Sequence, residues 1–344
     1  MKYYSPRYHI LPVSLHYFDG IIALLHMQFT VKYTIRYNSQ VSRSWKKTTQ
    51  RSTILQNKKM EKLLFGISKK WIAGYAVRDA ISAARKSNNL GMSVILNYLG
   101  EENLDNLQIR KSVSEYLIVL DLLNANSISG CISIKPSQIG LAINYELCLR
   151  NIHEITEHAT KVGRFVWIDM ESLRYVEDTI SIYLDIFKKN RRIGLVIQSY
   201  LRRSQSDLMH LLEHGANIRL VKGAYSQDSI NAFQARREID KNFSNLMRFI
   251  FGHLRPDEIL AIATHDSKLV KEAISLLKGR EIIKSIQFQF LKGIRDELKR
   301  ELVHNGFSVW EYTPYGERWL PYSARRIRER KRNIILLARS LIQS

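Results

Sequence analysis

A closed (β/α)8 barrel, an α/β fold, is the architecture this chain predicts, on three observations. From about residue 91 onward, short β-rich apolar runs alternate with helical patterns. The runs number eight, and they spread over about 250 residues, the length such a barrel needs. An open sheet of fewer strands is the competing arrangement, and eight parallel strands separated by helices suit closure better. With 344 residues, 45% hydrophobic and 25% charged, the chain can bury a core of this size.

The elements follow in order. Residues 1–59 hold ten Lys and Arg against the single acid Asp19, so this segment carries +9 of the net +21. Rich in Tyr and Ser and without apolar periodicity, it reads as a poorly ordered basic extension. A targeting peptide, a lipid- or nucleic-acid-binding arm and a start codon assigned too far upstream are the competing accounts, the last preferred. At Met60, "MEKLLFGISKKWIAGYAVRDAISAARKSNN" brings apolar residues at helical spacing, so the barrel domain is assigned to 60–344 with a helical lead-in. The strands are then "MSVILNYL" (92–99), "CISIK" (131–135), "RFVWID" (164–169), "GLVIQSY" (194–200), "NIRLVKG" (217–223), "ILAIAT" (259–264), "SIQFQFL" (285–291) and "FSVWEYT" (307–313). Between them lie amphipathic stretches such as "DSKLVKEAISLLKG" and "IRDELKRELVHNG", the latter with glycine where a helix should stop.

Several strands end on polar residues. Lys135 closes "CISIK", Asp169 closes "RFVWID", Gln198 lies in "VIQSY", Arg219 and Lys222 lie in "RLVKG", and Thr264 and His265 close "IATH". Polar side chains in apolar strands are costly unless paired. One alone would be a loop boundary; five strands with the same habit point to a polar, mixed-charge pocket at the C-terminal mouth of the barrel. Near the chain's end, "YSARRIRER" puts Tyr322, Arg325, Arg326 and Glu329 at i, i+3, i+4 and i+7, on one helix face. Glu329 lies within reach of both arginines and could orient them toward an anion, while a solvated face or a phosphate patch is the plainer alternative.

Other chemistries find little support. No CxxC, HExxH, GxGxxG or GxxxxGK[ST] occurs, so a zinc site, a dinucleotide fingerprint and a P-loop are not expected, and Cys131 and Cys148 have no paired spacing. No metal site is expected. No apolar run approaches a spanning helix, "IIALLHMQF" being too short. The charge would also suit nucleic acid through Lys46, Lys47, Arg51, Lys58 and Lys59, but no stacking motif accompanies these residues, and no nucleic-acid partner is expected.

"SIKPSQIGL", "WIDME", "VIQSYLRRSQSDL", "RLVKGAY", "ATHD", "FQFLKGIRDEL" and "YTPYGERWLPYSARRIRER" stand in the order seen in proline dehydrogenases, and from about Trp71 to Asn333 the chain resembles the monofunctional flavoenzymes of that family. The resemblance implies a distorted TIM-like barrel with a C-terminal helix over its mouth. It also implies non-covalent FAD, oxidation of L-proline to Δ1-pyrroline-5-carboxylate, and transfer of electrons to a membrane quinone. Hydroxyproline is the alternative substrate. Arg325 and Arg326 would clamp the proline carboxylate with Lys135 as a third cation, Asp169 would pair with this basic cluster, and Glu329 would orient the arginines near the flavin. Tyr312, Tyr322 and Leu291 would shape the substrate pocket. Arg219 would lie near the flavin N5 as the residue closest to the chemistry. Gln198 would bond the ring edge, Val221, Gly223 and Ala224 would bring backbone close, and Thr264, His265 and Gln289 would add contacts. Ser226 and Asp266 depart from the family's common tryptophan and asparagine. A cytoplasmic enzyme is expected, with the inner face of an anionic membrane as a peripheral docking place; the final "NIILLARSLIQS" would lie on that surface or pack on the barrel.

Overall fold

The computed structural model describes residues 64–66, 68–225, 227–279, 285–324 and 326. The basic segment 1–59, Met60, Ser226, Arg325, Glu329 and the final helix expected at 333–344 lie outside the described residues. Phe65–Ser323 form the barrel unit; Ala324 and Arg326 belong to a second unit and are described apart from it.

The barrel unit opens with helix α1 (Val77–Asn89) and then alternates strand and helix: β1 (Ser93–Tyr98), α2 (Asn106–Ala125), β2 (Gly130–Ile134), α3 (Tyr145–Lys161), β3 (Val166–Ile168), α4 (Val176–Phe187), β4 (Ile193–Gln198), α5 (Ser204–Glu213), β5 (Ile218–Val221), α6 (Arg236–His253), β6 (Leu260–Ala263), α7 (Ser267–Leu277), β7 (Ile286–Leu291), α8 (Asp296–His304) and β8 (Ser308–Tyr315). All strand pairings are parallel, and β8 pairs with β1 to close the barrel, with Ile95 opposite Tyr312. The expected closed (β/α)8 architecture is therefore observed.

Alternation along each strand builds two cores. Val94, Leu96, Ile132, Ile134, Val166 and Ile168 face outward into the main core beneath the helices, while Ile95, Cys131, Trp167 and Ala261 form a separate cluster inside the barrel. This double burial is why the strands read as nearly continuous apolar runs. Room for the Trp167 indole comes from Gly194 on the neighbouring strand, where a Cβ would lie 2.4 Å from the ring.

Local signals set the helix ends. Asp105, Asn144 and Asp266 cap α2, α3 and α7 by accepting from the backbone N–H of Leu107, Leu147 and Lys268. Gly306, expected to stop the helix before β8, takes φ +78° just past α8. At the β8–β1 seam, α1, ahead of the first strand, packs on both β8 and β1. Its approach segment is stitched to the end of β8, Ala73 N–H donating to Pro314 O at 2.8 Å and Gly316 N–H to Gly74 O at 2.9 Å. Residues 319–323 of the barrel unit are helical after β8, with Trp319 edge-on to Phe65 at 5.2 Å. No helix among the described residues is long and apolar enough to cross a membrane.

Candidate active site

The inward-facing positions of the strands carry a connected polar network inside the barrel. Arg219 on β5 is 3% exposed and reaches across the interior to Asp169, just beyond β3, pairing Nη2 with Oδ1. The same Nη2 donates to Ser133 Oγ on β2 at 2.6 Å, and Ser133 Oγ donates to Asp169 Oδ1 at 2.8 Å. Asp169 Oδ2 accepts from Tyr312 OH on β8 at 2.8 Å, and Arg219 Nη1 donates to Gln289 Oε1 on β7 at 3.3 Å. Trp167 lies against the guanidinium at 4.9 Å from its ring centroid, on the side nearer the inner core. One cation, one carboxylate and three neutral hydrogen-bonding side chains thus satisfy one another where an isolated charge would be prohibitive.

Burial, reinforced by the Asp169 carboxylate, pushes the Tyr312 phenol well above its ordinary range, so it stays a neutral donor. Burial likewise pushes the Cys131 thiol up to about 12, with Arg219 pulling weakly the other way, so Cys131 is an inert filler below the network. Lys135 stands at the rim after β2, its Nζ 3.1 Å from Glu101 Oε1 and 3.5 Å from Tyr225 OH. Burial opposes its charge, but Tyr225, Glu101, Asp169 and Glu171 outweigh burial and hold it protonated, well above the usual lysine value.

The remaining expected residues fall around this centre. Gln198 at the end of β4 is 3% exposed; its Nε2 donates to Met170 O at 3.1 Å, while Oε1 is buried with no hydrogen-bond partner among the described residues. Val221 and Leu291 end β5 and β7, half-buried, and Ala224 is exposed. Gly223 takes φ +106°, and a Cβ there would lie 2.1 Å from the Tyr200 ring, so a protein neighbour already forbids a side chain at this position. Thr264 Oγ1 accepts from Asp266 N–H at 3.2 Å. His265 Nε2 accepts from Leu291 N–H at 3.0 Å, which latches the end of β6 to the end of β7. Tyr322 is buried in the helix after β8. Asp266, one of the two departures from the family pattern, is engaged by the protein itself: it caps α7 and accepts from Lys222 Nζ at 3.0 Å.

Sequence reasoning missed Ser133, Trp167, Glu101 and Tyr225. Period-two alternation could have found Ser133, which stands two residues before Lys135 on the same face of β2. Among the described residues the ion-pair partner of Asp169 is Arg219, fifty residues along the chain, and Asp169 also helps to hold Lys135 protonated. An unfilled acceptor at Gln198 and a guanidinium fixed inside the same barrel are groups suited to a planar, hydrogen-bonding, electron-accepting ring.

Comparison with known proteins gives the family of the chain and agrees with its fold. A family model described as "Proline dehydrogenase" matches residues 80–336. "Proline dehydrogenase 1" of Bacillus subtilis subsp. natto is 30% identical over 80% of this chain and 91% of its own length. "Proline dehydrogenase" of Deinococcus radiodurans is 28% identical over 85% of this chain and 96% of its own. Among solved structures, proline utilization A (PutA) from Bdellovibrio bacteriovorus inactivated by N-propargylglycine superposes with a TM-score of 0.73 at 21% identity. That likeness covers 79% of this chain and 33% of the other, so this chain spans a third of that protein's length and shares its barrel fold.

Proposed function

The chain belongs to the proline dehydrogenase family of oxidoreductases, and we propose that it oxidises L-proline to Δ1-pyrroline-5-carboxylate with non-covalent FAD, electrons passing to a quinone. The observation that carries this reading is the buried Arg219–Asp169 pair inside the barrel, together with the open acceptor of Gln198 at the end of β4. Bound FAD would supply a two-electron acceptor for a hydride leaving proline C5. Arg219 would place positive charge where the reduced ring gathers electron density, in surroundings from which water is excluded. Gln198 Oε1 would take a ring N–H.

Toward the substrate, Lys135 supplies a cation on the same rim, and Arg325 with Arg326 would grip the carboxylate as a planar fork that lysine cannot imitate. The ring nitrogen must lose its proton before the C5–H bond breaks. Asp169 is committed to Arg219, Ser133 and Tyr312, so solvent water is the proton acceptor in this reading. Arg325→Met or Arg326→Met should leave FAD bound and raise the Michaelis constant for proline by about 10- to 150-fold, one charge-assisted hydrogen bond each. Loss of FAD with unchanged proline affinity would contradict the assignment.

The deciding experiment is anaerobic addition of L-proline to the purified protein, followed by reoxidation with a quinone carried in anionic or neutral vesicles. The yellow absorbance should bleach and recover, faster with anionic vesicles, to which surplus Lys and Arg add about 1 kcal/mol each. A protein bleached equally well or better by trans-4-hydroxy-L-proline takes the alternative substrate, and a colourless protein has neither activity.

A further inference from the structure

Ser133 is fully buried on the inner face of β2 and touches both members of the charge pair at once. The direct contact between Arg219 and Asp169 runs through one nitrogen and one oxygen, Nη2 to Oδ1. A single-point pair of this kind leaves the guanidinium plane free to swing about the contact, in contrast to a bidentate fork. Ser133 Oγ closes a triangle by accepting from Nη2 at 2.6 Å and donating to Oδ1 at 2.8 Å. The only other acceptor near that hydroxyl among the described residues, Trp167 O, is 3.5 Å away, too far to compete well. Its proton is therefore committed to Asp169, its lone pair to Arg219.

The remaining supports of Arg219 are softer. Gln289 Oε1 is 3.3 Å from Nη1, and the Trp167 and Tyr312 rings, at 4.9 and 5.6 Å, offer faces without direction. Asp169 in turn holds Tyr312 through its other oxygen. Ser133 thus sits on the Arg219 side of Asp169, where Nη2 and Oδ1 meet, while Tyr312 bonds the other carboxylate oxygen directly.

We propose that Ser133 is a positioning residue for the reaction: its hydroxyl fixes the plane of Arg219 against Asp169 and so sets the reduction potential of the flavin. The proposal rests on the flavin reading above. It predicts a change in how readily the cofactor accepts electrons, with little change in proline binding, because Ser133 lies below the rim that carries Lys135.

Three variants separate direction from volume. Ser133→Ala removes the hydroxyl, Ser133→Cys keeps the volume but offers only a weak donor, and Ser133→Thr keeps the hydroxyl. The flavin midpoint potential is read by anaerobic dye-coupled titration, which needs no proline, alongside kcat and KM for proline. Ser133→Ala and Ser133→Cys should favour the oxidised flavin about tenfold, a fall of about 30 mV for a two-electron couple. Both should lower kcat about tenfold with KM within about twofold, while Ser133→Thr stays within about threefold of the parent in potential and kcat. An alanine variant whose potential and kcat match the parent overturns the proposal, as does a cysteine variant that restores the parent values, which would make Ser133 a packing residue only. A parent protein that binds flavin but is not reduced by proline sinks the substrate reading alone, and the dye titration still judges Ser133; one that takes up no flavin sinks both.

Discussion

Arg219→Met should yield a folded, flavin-binding protein whose bleaching by proline is slowed about 100- to 1000-fold at saturating substrate, the usual scale for removing a preorganised charge from a reacting centre. On the proposed chemistry the guanidinium stands beside the atom that receives the hydride, and methionine fills its volume without its charge. The loss also has a structural side. Truncating one member of a buried pair typically costs about 3–5 kcal/mol because the other charge is left without its counter-ion. Asp169 retains two donors, Ser133 Oγ and Tyr312 OH, which favours the lower end of that range. Stopped-flow bleaching under anaerobic conditions checks the rate, and thermal unfolding checks the stability. Arg219→Lys should fall between the two, since one ammonium cannot serve Asp169 and Gln289 across the same span that two guanidinium nitrogens bridge. If Arg219→Met bleaches within tenfold of the parent, Arg219 is a structural counter-ion and the cation near the flavin must be sought elsewhere.

The barrel was readable in the amino-acid sequence because its strands are buried on both sides and end on polar residues, so each run announces both its identity and its direction. The boundaries agree within two residues at both ends of all eight strands. Two of the small shifts are informative. "RFVWID" forms ladder pairs only over Val166–Ile168, while Asp169 N–H still donates to Ile134 O at 2.9 Å and its side chain enters the network. The eighth run was expected to end at Thr313, yet β8 continues to Tyr315: Pro314 lacks an N–H, but its carbonyl is used by Ala73 and its position pairs with Asn97. At the site, charged strand ends gave themselves away, whereas Ser133 carried no signal of charge within an apolar run. The pairing of Asp169 with Arg219 is a contact between β3 and β5 across the interior, and no local spacing encodes a contact of that kind. Gly223 is a further case: the sequence assigned it a close backbone approach, while the Tyr200 ring that leaves no room for a Cβ there belongs to tertiary structure.

The second large effect lies on the outer side of the same strand that carries Tyr312. Lys299 on α8 is 1% exposed and meets Glu311 of β8, which is itself 6% exposed; Glu311 Oε2 also accepts from Ser87 Oγ of α1 at 2.9 Å. One carboxylate thus joins the lead-in helix, the last strand and the last intervening helix at the seam where the barrel closes. Asp296 adds a partner 2.6 Å from Lys299 Nζ. Burial raises the Asp296 carboxyl but the ammonium outweighs it, so its pKa is lowered; its share of stability is present above about pH 4 and is lost as pH falls through the depressed value. Lys299→Met would leave Glu311 buried with a hydroxyl alone, a loss of about 3–5 kcal/mol. For a unit of this size that lowers Tm by about 10 °C. Adding Glu311→Leu to that variant should recover most of the loss, because well-packed apolar groups can replace a buried ion pair at little cost and Ser87 Oγ keeps a bond to Ala83 O. Thermal unfolding of the two single variants and the double variant gives the coupling directly. A double variant no more stable than Lys299→Met would mean that the charge pair does not hold the seam, and that α1 is kept in place by the backbone bonds at Ala73 and Gly316 instead.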